Sequence, residues 1–380
     1  MGPRANTRLV AGCMTGTSID ALDCALVRIE GKGMQMRPEL VATLSRDLGQ
    51  LRPALRALAQ QQPMTAGAIA ALARDFALLH AHALEELTAE HGLDLVCVHG
   101  QTVFHTPPVS WQLLNPWPIV RSLGVPVVFD LRGADLAAGG QGAPITPIAD
   151  YLLFSQSESL RPFCCVVNLG GFANVTALVT NPVQHNEPTV HGFDICACNQ
   201  LLNSIARLKL NAEYDSNGAS AVRGAVQADA AKQLAGILLE SRQKRRSLGT
   251  GDEAFDWIHA HADGMTGDDL AATACEAIAR RIVSECKEFG PMIVAGGGVK
   301  NEGLLAALRR SANAAGIPRI HRSDEFGVPI DFREAMEFAI LGALCQDGLP
   351  ITIPRITKVE SPAPLSGSWA FPSRVDKVNT

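Results

Sequence analysis

LVAGCMTGTSIDALDCALVRI, residues 9–29, reads as a strand, a tight turn and a second strand. Both flanks are apolar runs, and the link TGTSID is built of turn-forming residues. Gly16, Thr17 and Ser18 make a tip where backbone N–H groups and hydroxyls can converge on an anion, and Ile19, Asp20, Ala21, Leu22 and Asp23 follow. Carboxylates beside a phosphate normally need a cation between them. Asp20 and Asp23 are therefore candidate Mg²⁺ ligands, directly or through water. An ordinary hairpin turn explains the same residues, so this stretch alone leaves both readings open.

The shape returns later. FCCVVNLGGFANVTALVTN, residues 163–181, is again strand, turn, strand, with Asn168, Gly170, Gly171 and Asn174 about its tip. After the first hairpin come a helical pattern over 66–90, the buried strand DLVCVHGQ, a short helix near PIVRSLG and the strand VPVVFDL. After the second come VHGFD, a helix from Asn199, helical patterns in 224–241 and 268–289, and the strand PMIVAGGG. The helices NEGLLAALRRSANAA and DFREAMEFAILGALCQ follow. A hairpin leading an alternation of strands and helices, twice over, indicates a duplicated α/β plan. The glycine- and proline-rich link LRGADLAAGGQGAPITP suggests a boundary near it. One domain then covers 1–135, completed by the tail from about 350 to 380, and the other covers 136–349.

The bulk numbers exclude several classes. A chain of 380 residues with 47% hydrophobic and 19% charged residues is a well-packed globular protein, long enough for two cores. A net charge of −5 gives nucleic acid no basic face, and RQKRR at 242–246 suits a helix end. No apolar stretch is long enough for a membrane span. LVAGC lacks the apolar segment of a lipoprotein signal, and MGPRAN lacks the hydroxyl residue of a myristoylation signal. Ten cysteines without a C-x-x-C point to a reducing cytoplasm.

Further polar groups stand where apolar strands end, the usual place for ligands in α/β folds. HGQTVFH (99–105) supplies Gln101 and His105, and FDLRGAD (129–135) supplies Asp130 and Arg132. VAGGGVKN (294–301) offers Gly296, Gly297, Gly298 and Asn301 between a strand and a helix, where backbone can approach a ligand closely. Neither a Walker A sequence nor a complete G-x-G-x-x-G occurs, and no G-x-S-x-G elbow supports a serine hydrolase. HGFDICACNQLL (191–202) holds Asp194 and a C-x-C pair. Cys196 and Cys198 are either half of a zinc shell, with Cys164 and Cys165 as conceivable partners, or small buried side chains.

Taken together, GCMTGTSIDALD, HGQTVFH, DLRGADLAAGGQGAP, NLGGFANVT, GGGVKN and EAMEFA, in this order over residues 8–345, resemble the blocks of the anhydro-N-acetylmuramic acid kinases. That family belongs to the actin, hexokinase and Hsp70-like ATPase superfamily. The resemblance implies a two-domain actin-like (ribonuclease H-like) fold, with mixed sheets flanked by helices and ATP in an interdomain cleft. It implies a kinase that opens the 1,6-anhydro ring of an amino sugar with water and phosphorylates O6, with ATP and Mg²⁺. It also suggests a homodimer. By the same resemblance Asp194, in GFDICACN, is the base and Glu334, in EAMEFA, lies at the active site. Arg132 faces the acidic substituent of the sugar, with Gln101, His105, Asp130 and Asn174 as further sugar contacts. The tip residues 16–23, Asn168, Gly170, Gly171, Gly296–Gly298 and Asn301 hold ATP.

This chain departs from the family pattern in three places. Thr-Gly-Pro-Gly after the aspartate is Ile195-Cys196-Ala197-Cys198, a hairpin glycine is Ala21, and 111–118 differs from Q-x-G-x-P. The departures leave two other readings: a nucleotide- or sugar-binding protein without turnover, and a kinase for a different anhydro-sugar.

Overall fold

The computed structural model describes residues 7–16, 18–179, 189–243, 254–317, 319–361 and 366–373. Thr17 of the hairpin tip and residues 244–246 of the basic run lie outside these. The chain divides into two units, Met1–Leu153 with Phe332–Thr380, and Phe154–Asp331.

In the first unit β1 (Thr7–Thr15), β2 (Ala21–Glu30) and β3 (Arg37–Asp47) form an antiparallel meander. β4 (Leu95–Val98) then pairs parallel to β1. A separate two-stranded ribbon follows, β5 (Gln101–Thr106) against β6 (Val109–Leu113). β7 (Val127–Phe129) pairs parallel to β4, so the sheet runs β3-β2-β1-β4-β7.

The second unit repeats the plan. β8 (Phe163–Leu169), β9 (Phe172–Val179) and β10 (Thr189–Ala197) are an antiparallel meander. β11 (Met292–Ala295) and β12 (Ile320–Arg322) add in parallel, giving β10-β9-β8-β11-β12. β13 (Ser368–Ala370) returns to the first sheet as an edge strand on β7. The same order and the same pattern of directions twice is the duplicated actin-like α/β architecture.

Strands covered on both faces must be apolar on both faces, which is why β1 and β8 read as continuous apolar runs. Successive side chains alternate in direction. Ala11 and Cys13 thus join the core containing Phe76, Ala77 and Leu84 of the helix Ala66–Leu87. Gly12, facing the other way, meets the helix Arg333–Gln346. A Cβ there would stand 2.0 Å from Ala335 O and 2.4 Å from Ala339 N, so only glycine lets this helix seat on β1.

Two boundaries differ from the sequence reading. The link 131–147 is part of the first unit: Asp135 within it is buried, accepting from Gly142 N (2.7 Å) and from Thr357 Oγ1 (2.7 Å). The helix Arg333–Gln346 also belongs to the first unit. The division therefore falls at Phe154 and Phe332 rather than at 136 and 350. Glycine and proline content signalled a linker, but the segment is held inside by hydrogen bonds.

Candidate active site

In the second unit the sheet register gathers the polar residues. Asn168 of β8 pairs with Asn174 of β9, and Asn174 pairs with Asp194 of β10. Directly opposed residues on neighbouring strands share a face, with Cβ atoms roughly 5 Å apart. One rung thus carries Asn168, Asn174 and Asp194. On its other side Asn168 pairs with Ala295, the last residue before the three glycines. Gly296 sits so close that a Cβ on it would be 2.5 Å from Asn168 Oδ1. A Cβ on Gly298 would meet Leu169 Cβ at 2.7 Å.

Asp194 is not the end of its strand. β10 continues to Ala197 through a register shift between Asp194 and Cys196. Such a bulge re-aims a side chain: residue Asp194 keeps part of its surface in solvent, while Ile195 onward turns into the core. The atoms crowded around Asp194 desolvate its carboxyl and raise its pKa above the ordinary 3.8.

The Gly170-Gly171 tip receives the following helix, Asn199–Ile205. Asn199 N donates to Gly170 O (3.0 Å), and Cys198 N to Gly171 O (2.9 Å). Asn199 Nδ2 donates to Leu169 O (3.0 Å). Asn301 caps the helix Glu302–Ala314, its Oδ1 accepting from Leu304 N (2.9 Å). The amide of Leu304 is thus closed by the chain itself.

All ten cysteines are buried and free. Cys196 and Cys198 pack with Leu201, Leu202, Ile205 and Ile278. Burial pushes the Cys196 thiol up to about 12 and raises Cys198 as well. Among the described residues no three His, Cys, Asp or Glu side chains gather to hold a metal. The C-x-C pair is packed within the core of the second unit. No residue of 195–198 takes a positive φ, and Cys198, which begins the helix, stands at φ −128° and ψ −98°.

In the first unit the tip Gly16–Asp20 is closed by Ile19 N donating to Gly16 O (3.1 Å), with Ile19 at φ 51°. Asp20 Oδ1 accepts from Ser18 Oγ (2.7 Å) and from its neighbour Ala21 N (3.0 Å), and Asp23 Oδ1 accepts from Ser45 Oγ (2.6 Å). Ile19 and Leu22 are buried in the core, so they offer a ligand only backbone. Two carboxylates and a hydroxyl do not make a cage. They fit Mg²⁺, which keeps much of its octahedron for water and phosphate.

The other group of the first unit centres on Arg132. Its Nε and Nη2 lie 3.2 and 3.0 Å from His99 Nε2, and its Nη1 donates to Gly142 O (2.8 Å). Burial lowers its pKa to about 10, while the nearby Glu334 charge opposes that shift. Glu334 stands in the first turn of its helix. Partial burial and the Arg132 charge both lower the pKa of His105, whose Nδ1 is 2.8 Å from Ser110 Oγ. Gln101 is buried, its Nε2 donating to Thr102 O (3.2 Å) and its Oε1 without a protein partner. Asp130, at φ 49°, has its pKa raised by burial and accepts from Gly133 N (3.2 Å).

The sequence reading missed a buried ion cluster beside Glu334. Arg333 Nη2 lies 2.7 Å from Asp150 Oδ2 and 2.8 Å from Glu337 Oε1, all essentially unexposed. Burial raises the Glu337 pKa well above 4.5, with Arg333 opposing. The i, i+4 spacing of Arg333 and Glu337 was a usable signal; Asp150 had none.

The family model described as anhydro-N-acetylmuramic acid kinase matches residues 8–370. The protein of that name from Gloeobacter violaceus is 34% identical, covering 94% of this chain and 97% of its own. Those from Salinibacter ruber and Bordetella avium are 31% and 33% identical, each covering 97% of this chain and 98% of its own. Among solved structures, a ROK family glucokinase from Streptomyces griseus in complex with glucose and AMPPNP aligns with a TM-score of 0.39 at 16% identity. That alignment covers 88% of this chain and 99% of that one. On the family match across residues 8–370 and near full-length relatives above 30% identity, this chain belongs to the anhydro-N-acetylmuramic acid kinase family.

Proposed function

We propose that this chain is an ATP-dependent sugar kinase that opens the 1,6-anhydro ring of anhydro-N-acetylmuramic acid with water and phosphorylates O6. The products are N-acetylmuramic acid 6-phosphate and ADP. The observation that carries this reading is the rung Asn168–Asn174–Asp194, on a chain of this family.

Asp194 takes a proton from the water that attacks the anomeric carbon. Its raised pKa makes it a better base than an ordinary surface carboxylate. As the bond from the anomeric carbon to O6 breaks, O6 attacks the γ-phosphorus of ATP and ADP leaves. Asn174 orients the sugar, and Asn168 links that position to the glycine turn beside it. Gly296–Gly298, Gly170 and Gly171 let backbone approach the nucleotide, and the tip at Gly16–Asp23 meets its phosphates.

Arg132 binds the carboxylate of the sugar's lactyl group in charge-assisted hydrogen bonds. Gln101, His105 and Asp130 take sugar hydroxyls or the acetamido group, and Glu334 takes a hydroxyl or metal-bound water. Asp20 and Asp23 would hold Mg²⁺, which neutralises phosphate charge.

The reading without turnover was motivated by the altered 195–198 segment. Those residues are buried and none takes a positive φ, and Asp194 beside them is retained, which favours turnover. Turnover tests the reading. Incubation with Mg·ATP and the anhydro-sugar should give one ADP per phosphosugar. ADP release without phosphosugar, or neither product, contradicts it.

A further inference from the structure

We propose that His99 is a positioning residue, whose imidazole Nε2 holds the Arg132 guanidinium in the orientation that meets the carboxylate of the sugar. The proposal rests on the role given to Arg132 above and adds what makes that residue selective.

His99 follows β4 directly, and its backbone N donates to Cys13 O (3.1 Å), which pins it to the neighbouring strand. It is buried, and the Phe338 ring stands 4.8 Å from the imidazole. Its Nδ1 lies 2.8 Å from Gly100 O. A carbonyl oxygen only accepts, so Nδ1 carries the hydrogen. In the neutral ring Nε2 is then a lone-pair acceptor, and it faces two donors of Arg132, Nε at 3.2 Å and Nη2 at 3.0 Å. A hydrogen on Nε2 would point at the guanidinium. Burial and the Arg132 charge keep it off, lowering the His99 pKa to about 3.

The far side of Arg132 is fixed as well. Nη1 donates to Gly142 O (2.8 Å), Gly142 N donates to Asp135 Oδ2 (2.7 Å), and Thr357 Oγ1 donates to Asp135 Oδ1 (2.7 Å). Three N–H groups of Arg132 are engaged in this way, on Nε, Nη1 and Nη2. One N–H remains on each terminal nitrogen, and these are the donors left for a carboxylate. Without His99 the guanidinium would rotate about its stem and misdirect them.

The test compares His99→Leu, which removes the acceptor, with His99→Gln, whose Oε1 reaches the position of Nε2. Two readouts are taken on the full chain. The first is the Arg132 Nε–H resonance in arginine-labelled protein, assigned with Arg132→Met. It should exchange slowly with water in wild type and His99→Gln, and rapidly in His99→Leu. The second is steady-state kinetics with the lactyl-bearing anhydro-sugar and with its analogue lacking the lactyl group.

His99→Leu should raise KM for the lactyl sugar about tenfold or more, with little change in kcat and little change for the analogue. His99→Gln should restore most of the loss, and adding His99→Leu to Arg132→Met should cost nothing further. An unchanged resonance overturns the positioning role. So does an equal loss on both sugars, or additive losses in the double variant. If Arg132→Met leaves KM for the lactyl sugar unaltered while the resonance still depends on His99, the role of Arg132 itself has failed.

Discussion

Alanine at Gly296 is the sharpest test of the glycine turn. Gly296 has φ 84° and ψ 167°, a conformation that essentially only glycine adopts, and forcing another residue there costs roughly 1–3 kcal/mol. Its new Cβ would stand 2.5 Å from Asn168 Oδ1 and 3.1 Å from Leu169 O. Asn168 would have to turn, disturbing a nearly buried amide, which adds about 1–3 kcal/mol. The sum is a loss of about 2–6 kcal/mol in the second unit, with KM for ATP raised or turnover lowered.

Gly297→Ala is the internal control. Gly297 has no positive φ, and its nearest neighbour would be Asn199 Nδ2 at 4.0 Å. Its stability should stay within about 0.5 kcal/mol of wild type, so any effect on ATP reports contact with the nucleotide. Urea unfolding followed by circular dichroism, with ATP kinetics alongside, separates the two. The reasoning is refuted if Gly296→Ala is as stable as wild type, or if Gly297→Ala is equally damaging.

Other consequences follow from burial. His80 donates from Nδ1 to Phe76 O (2.8 Å), and burial lowers its pKa from 6.5 to about 4. The folded state prefers the neutral ring. Its stabilising share is therefore complete above pH 6.5 and is lost as pH falls toward 4. Between about pH 7.5 and about pH 5 that amounts to about 2 kcal/mol, and urea midpoints of His80→Leu should show that much less pH dependence. Thiol reagents should label none of the ten cysteines in the native protein, whereas labelling of Cys196 or Cys198 without unfolding would contradict their burial. Gly12→Ala should unseat the helix bearing Glu334 and cost about 3 kcal/mol or more, read as a lower melting temperature together with lost turnover.

Much of the fold was legible because it rests on local signals. Both hairpins, the helix Ala66–Leu87 and the helix Arg333–Gln346 follow from periodicity and turn chemistry. Register was not legible. Nothing in the chain order says that Asn168, Asn174 and Asp194 fall on one rung, because pairing across strands is set by tertiary packing. The link 131–147 misled for a related reason: its glycines serve close packing around Asp135 rather than a flexible joint. His99 was visible as a polar residue after a strand, but its tautomer and its grip on Arg132 depend on distances.

The most direct measurement is phosphosugar formation from Mg·ATP and anhydro-N-acetylmuramic acid by wild type and Asp194→Asn, with ATP affinity measured in parallel. The account predicts turnover by wild type and a loss of about 10²-fold or more in the variant, with ATP binding unchanged. Wild-type turnover retained by Asp194→Asn, or no phosphosugar from wild type, would contradict it.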